Sequence, residues 1–188
     1  MRWLAAGLAS LLWLAAAPSQ AQLKGENLLV APPPGFKVGF KDSRNGMNML
    51  EWIPASETVQ DWTEMVTVQI FVKRADLDPG QFLRQLQTQW LAACKGSQPA
   101  AINPTVVNGY AAASMTLRCP LLASTGKPET TLFRAVKGND SFYLVQRAVR
   151  AAAAPELLER LRKYLAAVSV CEAGSREHPC PDLKPIGR

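Results

Sequence analysis

The chain reads as an α+β domain: an antiparallel β-sheet of about six to seven strands packed with two main α-helices. Three observations predict it. Short runs of alternating or continuous apolar residues are separated by Asn45-Gly46, Asn108-Gly109 and Gly138-Asn139, dipeptides that favour hairpin turns. Two longer stretches carry apolar residues at helical spacing instead, each opened by a proline, Pro79 and Pro155. The resulting order of strands, helix, four strands and helix is the pattern of a hairpin-rich sheet covered by helices.

The N-terminus has a different logic. Arg2 supplies positive charge, residues 3–17 are apolar, and Pro18-Ser19-Gln20-Ala21 ends the run with a small-x-small pattern. This is the layout of a secretory signal peptide over residues 1–21, cleaved after Ala21. The apolar run is short for a bilayer span, and no cysteine near the cleavage point offers a lipid anchor. No later run is apolar enough to cross a membrane, so the mature protein is expected not to be membrane-embedded. Residues 22–172 then form a single domain, and residues 173–188 a polar tail.

Each element has a local reason. Residues 28–31 fit a short edge strand, because Pro32, Pro33 and Pro34 exclude a helix or a central strand. Residues 36–41 and 47–53 flank Asn45-Gly46 as a hairpin, and Pro54 ends it. Residues 57–62 suggest a short helical turn. Residues 65–72 alternate, with Val66, Val68, Ile70 and Val72 on one face and Thr67 and Gln69 on the other, which predicts a half-buried strand. A helix over 79–94 follows, with Asp78 as cap, Gln81 placed for a capping box and Gly96 past its end. Its stripe is Leu83, Leu86, Trp90 and Cys94.

Four strands are expected at 102–107, 110–119, 130–137 and 141–149, with two-residue turns at Asn108-Gly109 and Gly138-Asn139. The last helix spans 155–168. Glu156 and Glu159 precede Arg160, Arg162 and Lys163, an order that complements the helix dipole. Leu157, Leu161, Tyr164, Leu165 and Val168 form its buried stripe.

Four cysteines in an exported chain predict two disulfides. Cys94 ends the first helix on its apolar face, and Cys119 shares an inward strand face with Ala113, Met115 and Leu117, so these two are paired. Cys171 with Cys180 ties the tail into a small loop.

The residues exclude more chemistry than they suggest. The net charge of +6, about +5 without Arg2, is spread along the chain with no basic stripe or nucleic-acid motif. His178, the one histidine, lies in the tail, where it is expected to be exposed and loosely held. Cys171, His178 and Cys180 are zinc-ligand types at a spacing foreign to zinc fingers. No Cys-x-x-Cys motif is present. Ser124-Thr125-Gly126-Lys127 lacks the first glycine and the final Ser or Thr of a phosphate-binding loop. Asp61 and Glu64, with Glu51, are the one carboxylate group worth weighing for hydrolysis. No catalytic residue, metal or cofactor is assigned.

Two candidate partner-binding regions remain. A two-residue turn at Gly138-Asn139 sets Arg134 opposite Tyr143 and Arg147 opposite Thr130, so Arg134, Tyr143 and Arg147 share a sheet face with Leu132 and Val145. Arg and Tyr are favoured anchors in recognition surfaces. Trp52 and Trp62 lie near turns in the second region.

The element order, with Glu51-Trp52-Ile53-Pro54 and Trp62-Thr63-Glu64-Met65-Val66-Thr67, resembles the PsbP-like fold over residues 28–171. The chain is also similar to small exported proteobacterial proteins with a Cys-Pro step, here Cys119-Pro120, before a Lys-Pro-Glu, here Lys127-Pro128-Glu129. That resemblance implies a binding or assembly-assisting protein without catalysis. The sequence therefore predicts a non-enzymatic periplasmic binding or accessory protein whose partner is an envelope protein or a small ligand. The alternatives are an inhibitor or immunity-type protein and a carboxylate-dependent envelope hydrolase.

Overall fold

A computed structural model describes residues 23–181; the expected signal peptide and residues 182–188 lie outside the described residues. The order is β1 (Glu26–Leu29), β2 (Phe36–Arg44), β3 (Met47–Pro54), β4 (Glu64–Phe71), α1 (Pro79–Ala93), β5 (Asn103–Val107), β6 (Tyr110–Leu122), β7 (Lys127–Lys137), β8 (Phe142–Val149), α2 (Pro155–Ala166) and β9 (Ser169–Glu172). Seven strands form one antiparallel sheet in the order β2-β3-β4-β8-β7-β6-β5, and β1 pairs with β9 in a separate two-stranded sheet. The class is α+β, as the turn and period signals predict.

The two Asn-Gly turns are tight because both residues in each take positive φ: 51° and 75° at Asn45 and Gly46, 46° and 84° at Asn108 and Gly109. That geometry matches the twist of the flanking strands. Asp78 caps α1 by accepting the Gln81 N–H at 2.8 Å. The edge strand β2 carries Lys37, Lys41 and Arg44 and a register shift between Val38 and Phe40, features that discourage pairing with another chain.

The helices cover opposite faces of the large sheet. Leu83 of α1 packs with Met115, Leu117, Phe133 and Leu144 on one side. Leu158, Leu161 and Leu165 of α2 pack with Trp52, Val66, Leu132 and Val145 on the other. The β1–β9 pair lies on the α2 side, where Val170 meets Tyr110, Val136 and Tyr143, with Leu28 packed against them. The disulfide Cys94–Cys119 joins the end of α1 to β6, and Cys171–Cys180 joins β9 to the chain that follows it.

Several expectations are corrected. The β7–β8 connection is not a two-residue turn: Lys137 pairs with Phe142, and residues 138–141 form the loop. Arg134 therefore faces Val145, and Arg147 faces Leu132. The register moves by two, an even number, so Arg134, Tyr143 and Arg147 keep a common face. The loop is longer because the Glu26 carboxylate, brought from the far end of the chain, accepts N–H groups of Asn139 and Ser141.

Residues 57–62 form an irregular stretch with bends at 59–61, not a helical turn, with Glu57 accepting both the N–H and the hydroxyl of Thr63 at 2.7 Å. The first strand begins at Glu26 and ends at Leu29, ahead of the expected 28–31, because its register is set by β9. Residues 169–172, for which no strand was expected, form β9. In α2 the buried positions are Leu158, Leu161 and Leu165, and Leu157, expected in the buried stripe, is only half-buried. On β4, Thr67 is buried as well as Val66 and Val68, so both faces of that strand are covered there.

Candidate functional site

Three prolines in succession cannot donate backbone hydrogen bonds. The β1–β9 ladder ends at the Leu29–Ser169 pair, where β9 begins, and the prolines keep the chain beyond it out of any strand as it runs past α2. The Tyr164 hydroxyl of α2 donates to Ala31 O at 2.7 Å and pins it. Between this segment and α2 lies a groove of about 710 Å³, lined by residues 28–34, Tyr164, Ala167 and Val168, with Arg147 and Arg160. Its size falls within the range of about 300–1,000 Å³ common to small-molecule sites.

Arg147 is the unusual member. It sits in mid-β8 and is only 2% exposed. Its guanidinium lies over the Phe36 ring at 4.9 Å and the Tyr164 ring at 5.5 Å, an arrangement that favours a desolvated cation. Its Nη2 donates to Glu64 Oε2. The same carboxylate takes Arg160 through Nη1 at 3.1 Å and Nη2 at 2.5 Å. Two guanidinium groups thus share one carboxylate, and the cluster keeps one net positive charge. Nε and Nη1 of Arg147 are buried with no hydrogen-bond partner among the described residues. Unmet buried donors are costly, more so on a charged group.

The titration behaviour follows the geometry. Burial alone would raise the Glu64 carboxyl, but the Arg160 hydrogen bond and the charges of Arg147 and Arg160 outweigh it and hold it below the ordinary carboxylate value. Burial draws the Arg147 guanidinium below its usual value, against the pull of Glu64. Burial pushes Tyr164 up to about 12, partly opposed by Arg147, so its hydroxyl is neutral and free to donate to Ala31.

A second groove of about 690 Å³ lies on the other side of β1, sharing Leu28 and Val30 with the first and lined also by Trp52, Val68, Ile70 and Tyr143. Segment 28–30 is thus a wall between two grooves. It is fixed at one end by Glu26, which accepts from Asn139 N, Ser141 N and Tyr143 Oη at 2.5, 3.1 and 2.8 Å. Gly138 permits that approach, since a Cβ there would overlap the Glu26 carboxylate.

The structure separates the residues singled out by sequence. Arg134, Tyr143 and Arg147 share the face beneath α2 and the β1–β9 pair. Arg134 caps the end of α2, its Nη1 donating to Ala166 O and Val168 O at 3.2 Å. Tyr143 serves the Glu26 anchor, and Arg147 lines the first groove. Trp52 is core on the same face and lines the second groove. Trp62 lies on the opposite face, with the Arg150 guanidinium 4.1 Å above its ring. Residues 28–34, Glu26, Arg160 and Tyr164 were not singled out as a site. The apolar Leu28-Leu29-Val30 leading into three prolines was the available signal: an apolar segment whose continuation cannot join a central strand.

The carboxylates weighed for hydrolysis do not converge. Glu64 is on the α2 face, whereas Glu51 pairs with Thr67 on the other. Asp61 meets Lys127 at 3.1 Å and Arg150 at 3.7 Å at the surface. His178 is not loose: its ring stacks on Tyr110 at 3.7 Å, and its Nδ1 lies 2.8 Å from Asn108 O. Cys171 and Cys180 are joined as a disulfide, so neither offers a thiolate to a metal.

No family model matches the chain, the PsbP-like one included, and no curated protein matches it. Among solved structures the chain is similar to the crystal structure of LpqN, involved in cell envelope biogenesis of Mycobacterium tuberculosis. The identity is 15% over 80% of this chain and 86% of that chain, with a TM-score of 0.48.

Proposed function

We propose that this is a non-enzymatic binding protein of the periplasm that uses the groove between segment 28–34 and α2 as its ligand seat. The observation carrying the proposal is Arg147: a buried cation lining an apolar groove, with two guanidinium nitrogens that find no acceptor among the described residues. Few convergent polar groups on apolar walls are the usual composition of a binding site. Export is supported by the signal layout of residues 1–21 and by disulfides that use all four cysteines. No helix among the described residues is long and apolar enough to cross a membrane.

The test is native mass spectrometry and crosslinking of the oxidised protein isolated from its own envelope. The proposal expects a bound species whose crosslinks fall on segment 28–34 or α2. Crosslinks confined to the α1 face, or turnover of an ester, glycoside or peptide, would overturn it.

A further inference from the structure

We infer that the groove takes an anionic amphiphile: a carboxylate or phosphate head joined to an aliphatic chain. This rests on the reading of the groove as the ligand seat and names what fills it. The head is specified by charge. Arg147 and Arg160 share Glu64, which leaves one positive charge uncompensated within the cluster. The unpartnered Nε and Nη1 of Arg147, 2% exposed, are charge-assisted donors that an anion satisfies and an uncharged chain does not. Arg160 stands at the more open end, its side chain 55% exposed, and can turn to an incoming head while Glu64 keeps Arg147 in place.

The chain is specified by the walls. Leu28, Val30, Ala167 and Val168 are aliphatic, and Pro32 to Pro34 present no N–H at all. The proline stretch of this wall cannot add a peptide as a further strand, since strand addition depends on main-chain hydrogen bonds. It does suit a hydrocarbon chain, whose burial needs area and no partners. The Tyr164–Ala31 bond holds the two walls together next to the cation.

The experiment is calorimetric titration of the purified, oxidised protein with sodium decanoate, monodecyl phosphate, 1-decanol, sodium acetate and inorganic phosphate. Decanoate or decyl phosphate should bind at least about tenfold more tightly than decanol and than either free head. Preference between the two tells a carboxylate head from a phosphate one. Arg147→Met should abolish the advantage of decanoate and decyl phosphate over decanol. Should Arg147→Met fail to fold, Arg160→Gln at the open end decides, with an expected loss of several-fold in decanoate affinity and a weaker salt dependence. Equal binding of decanoate, decyl phosphate and decanol overturns the inference, as does binding of free phosphate as tight as that of decyl phosphate. Anion binding that both variants retain overturns it too. If none of the probes binds while an envelope species crosslinks to the groove, this inference fails and the binding-protein reading stands. If decanoate binds but the envelope species crosslinks only elsewhere, that reading fails.

Discussion

Tyr143 Oη donates a hydrogen bond to Glu26 Oε1 at 2.8 Å, joining positions 117 apart in the chain. The same carboxylate takes the backbone N–H groups of Asn139 and Ser141. One side chain near the start of the domain therefore fixes both the β7–β8 loop and the segment that divides the two grooves. Burial, with the Glu26 bond and charge, raises the Tyr143 pKa, so its hydroxyl stays a donor.

Glu26→Gln should cost about 1–3 kcal/mol in urea unfolding, since it replaces charge-assisted bonds with neutral ones. Amide exchange should accelerate first in β1 and β9. Gly138→Ala should reproduce the effect by displacing the carboxylate sterically. The double variant should then cost little more than either alone, the signature of a shared interaction. Simple additivity would show that the two residues act separately.

The Arg147, Glu64 and Arg160 cluster should respond asymmetrically. Glu64→Gln leaves two guanidinium groups without a countercharge, one of them buried, and should cost about 2 kcal/mol or more. Arg147→Met removes the buried charge and leaves a matched Glu64–Arg160 pair, so about 1 kcal/mol or less is expected. Equal losses in chemical denaturation would mean that the burial of Arg147 carries no special cost.

The pH dependence of that difference has a definite sign. Glu64 is held below its ordinary value in the folded chain. Its stabilisation is therefore present above the unfolded carboxylate pKa, near 4.3, and lost as pH falls through the lower folded value. The gap between wild type and Glu64→Gln should be full at pH 6 and shrink below about pH 4. Glu51 and Glu129, both raised by burial, act in the opposite direction, so only the difference between the two proteins isolates Glu64. A gap independent of pH from 3 to 6 would remove this assignment.

Two glycines separate backbone strain from packing. Gly126 has φ 65° and open space around a would-be Cβ, whereas Gly109 has φ 84° and would place a Cβ 2.8 Å from His178 Nδ1. Gly126→Ala should cost about 1 kcal/mol, for the left-handed backbone alone. Gly109→Ala should cost clearly more and release the His178 ring from Tyr110, read as a shift of the His178 resonances. Equal costs would argue that the tail does not press on the turn.

Removing each disulfide by paired Cys→Ala changes should scale with loop length. The separation of 25 for Cys94–Cys119 predicts a loss of about 3.5 kcal/mol. The separation of 9 for Cys171–Cys180 predicts about 2.5–3 kcal/mol. Thermal or urea unfolding of the two variants tests the order. A larger loss from the short loop would show that its packing on Tyr110 outweighs chain entropy.

Much of the fold was legible because its signals are local. Asn45-Gly46 and Asn108-Gly109 set two hairpins by φ alone. Asp78-Pro79 started α1, and the inward stripes of α1 and β6 brought Cys94 to Cys119. The site was less legible. Arg147 and Tyr143 were singled out for the right face but the wrong register, since the β7–β8 loop is set by Glu26 from the other end of the chain. Arg160 and Tyr164 read as ordinary members of an amphipathic helix, and nothing local says that they meet Glu64 and Ala31.

The sequence by itself determined the two helices and the seven strands of the large sheet, because turn chemistry and a period of two or 3.6 are written within a few residues. Only the tertiary structure decided that α1 and α2 lie on opposite sides of the sheet. It also decided that β1 leaves that sheet to pair with β9, and that Arg147 is buried between Phe36 and Tyr164. Those choices depend on which distant surfaces meet, and side-chain periodicity records that a face is buried without recording what covers it.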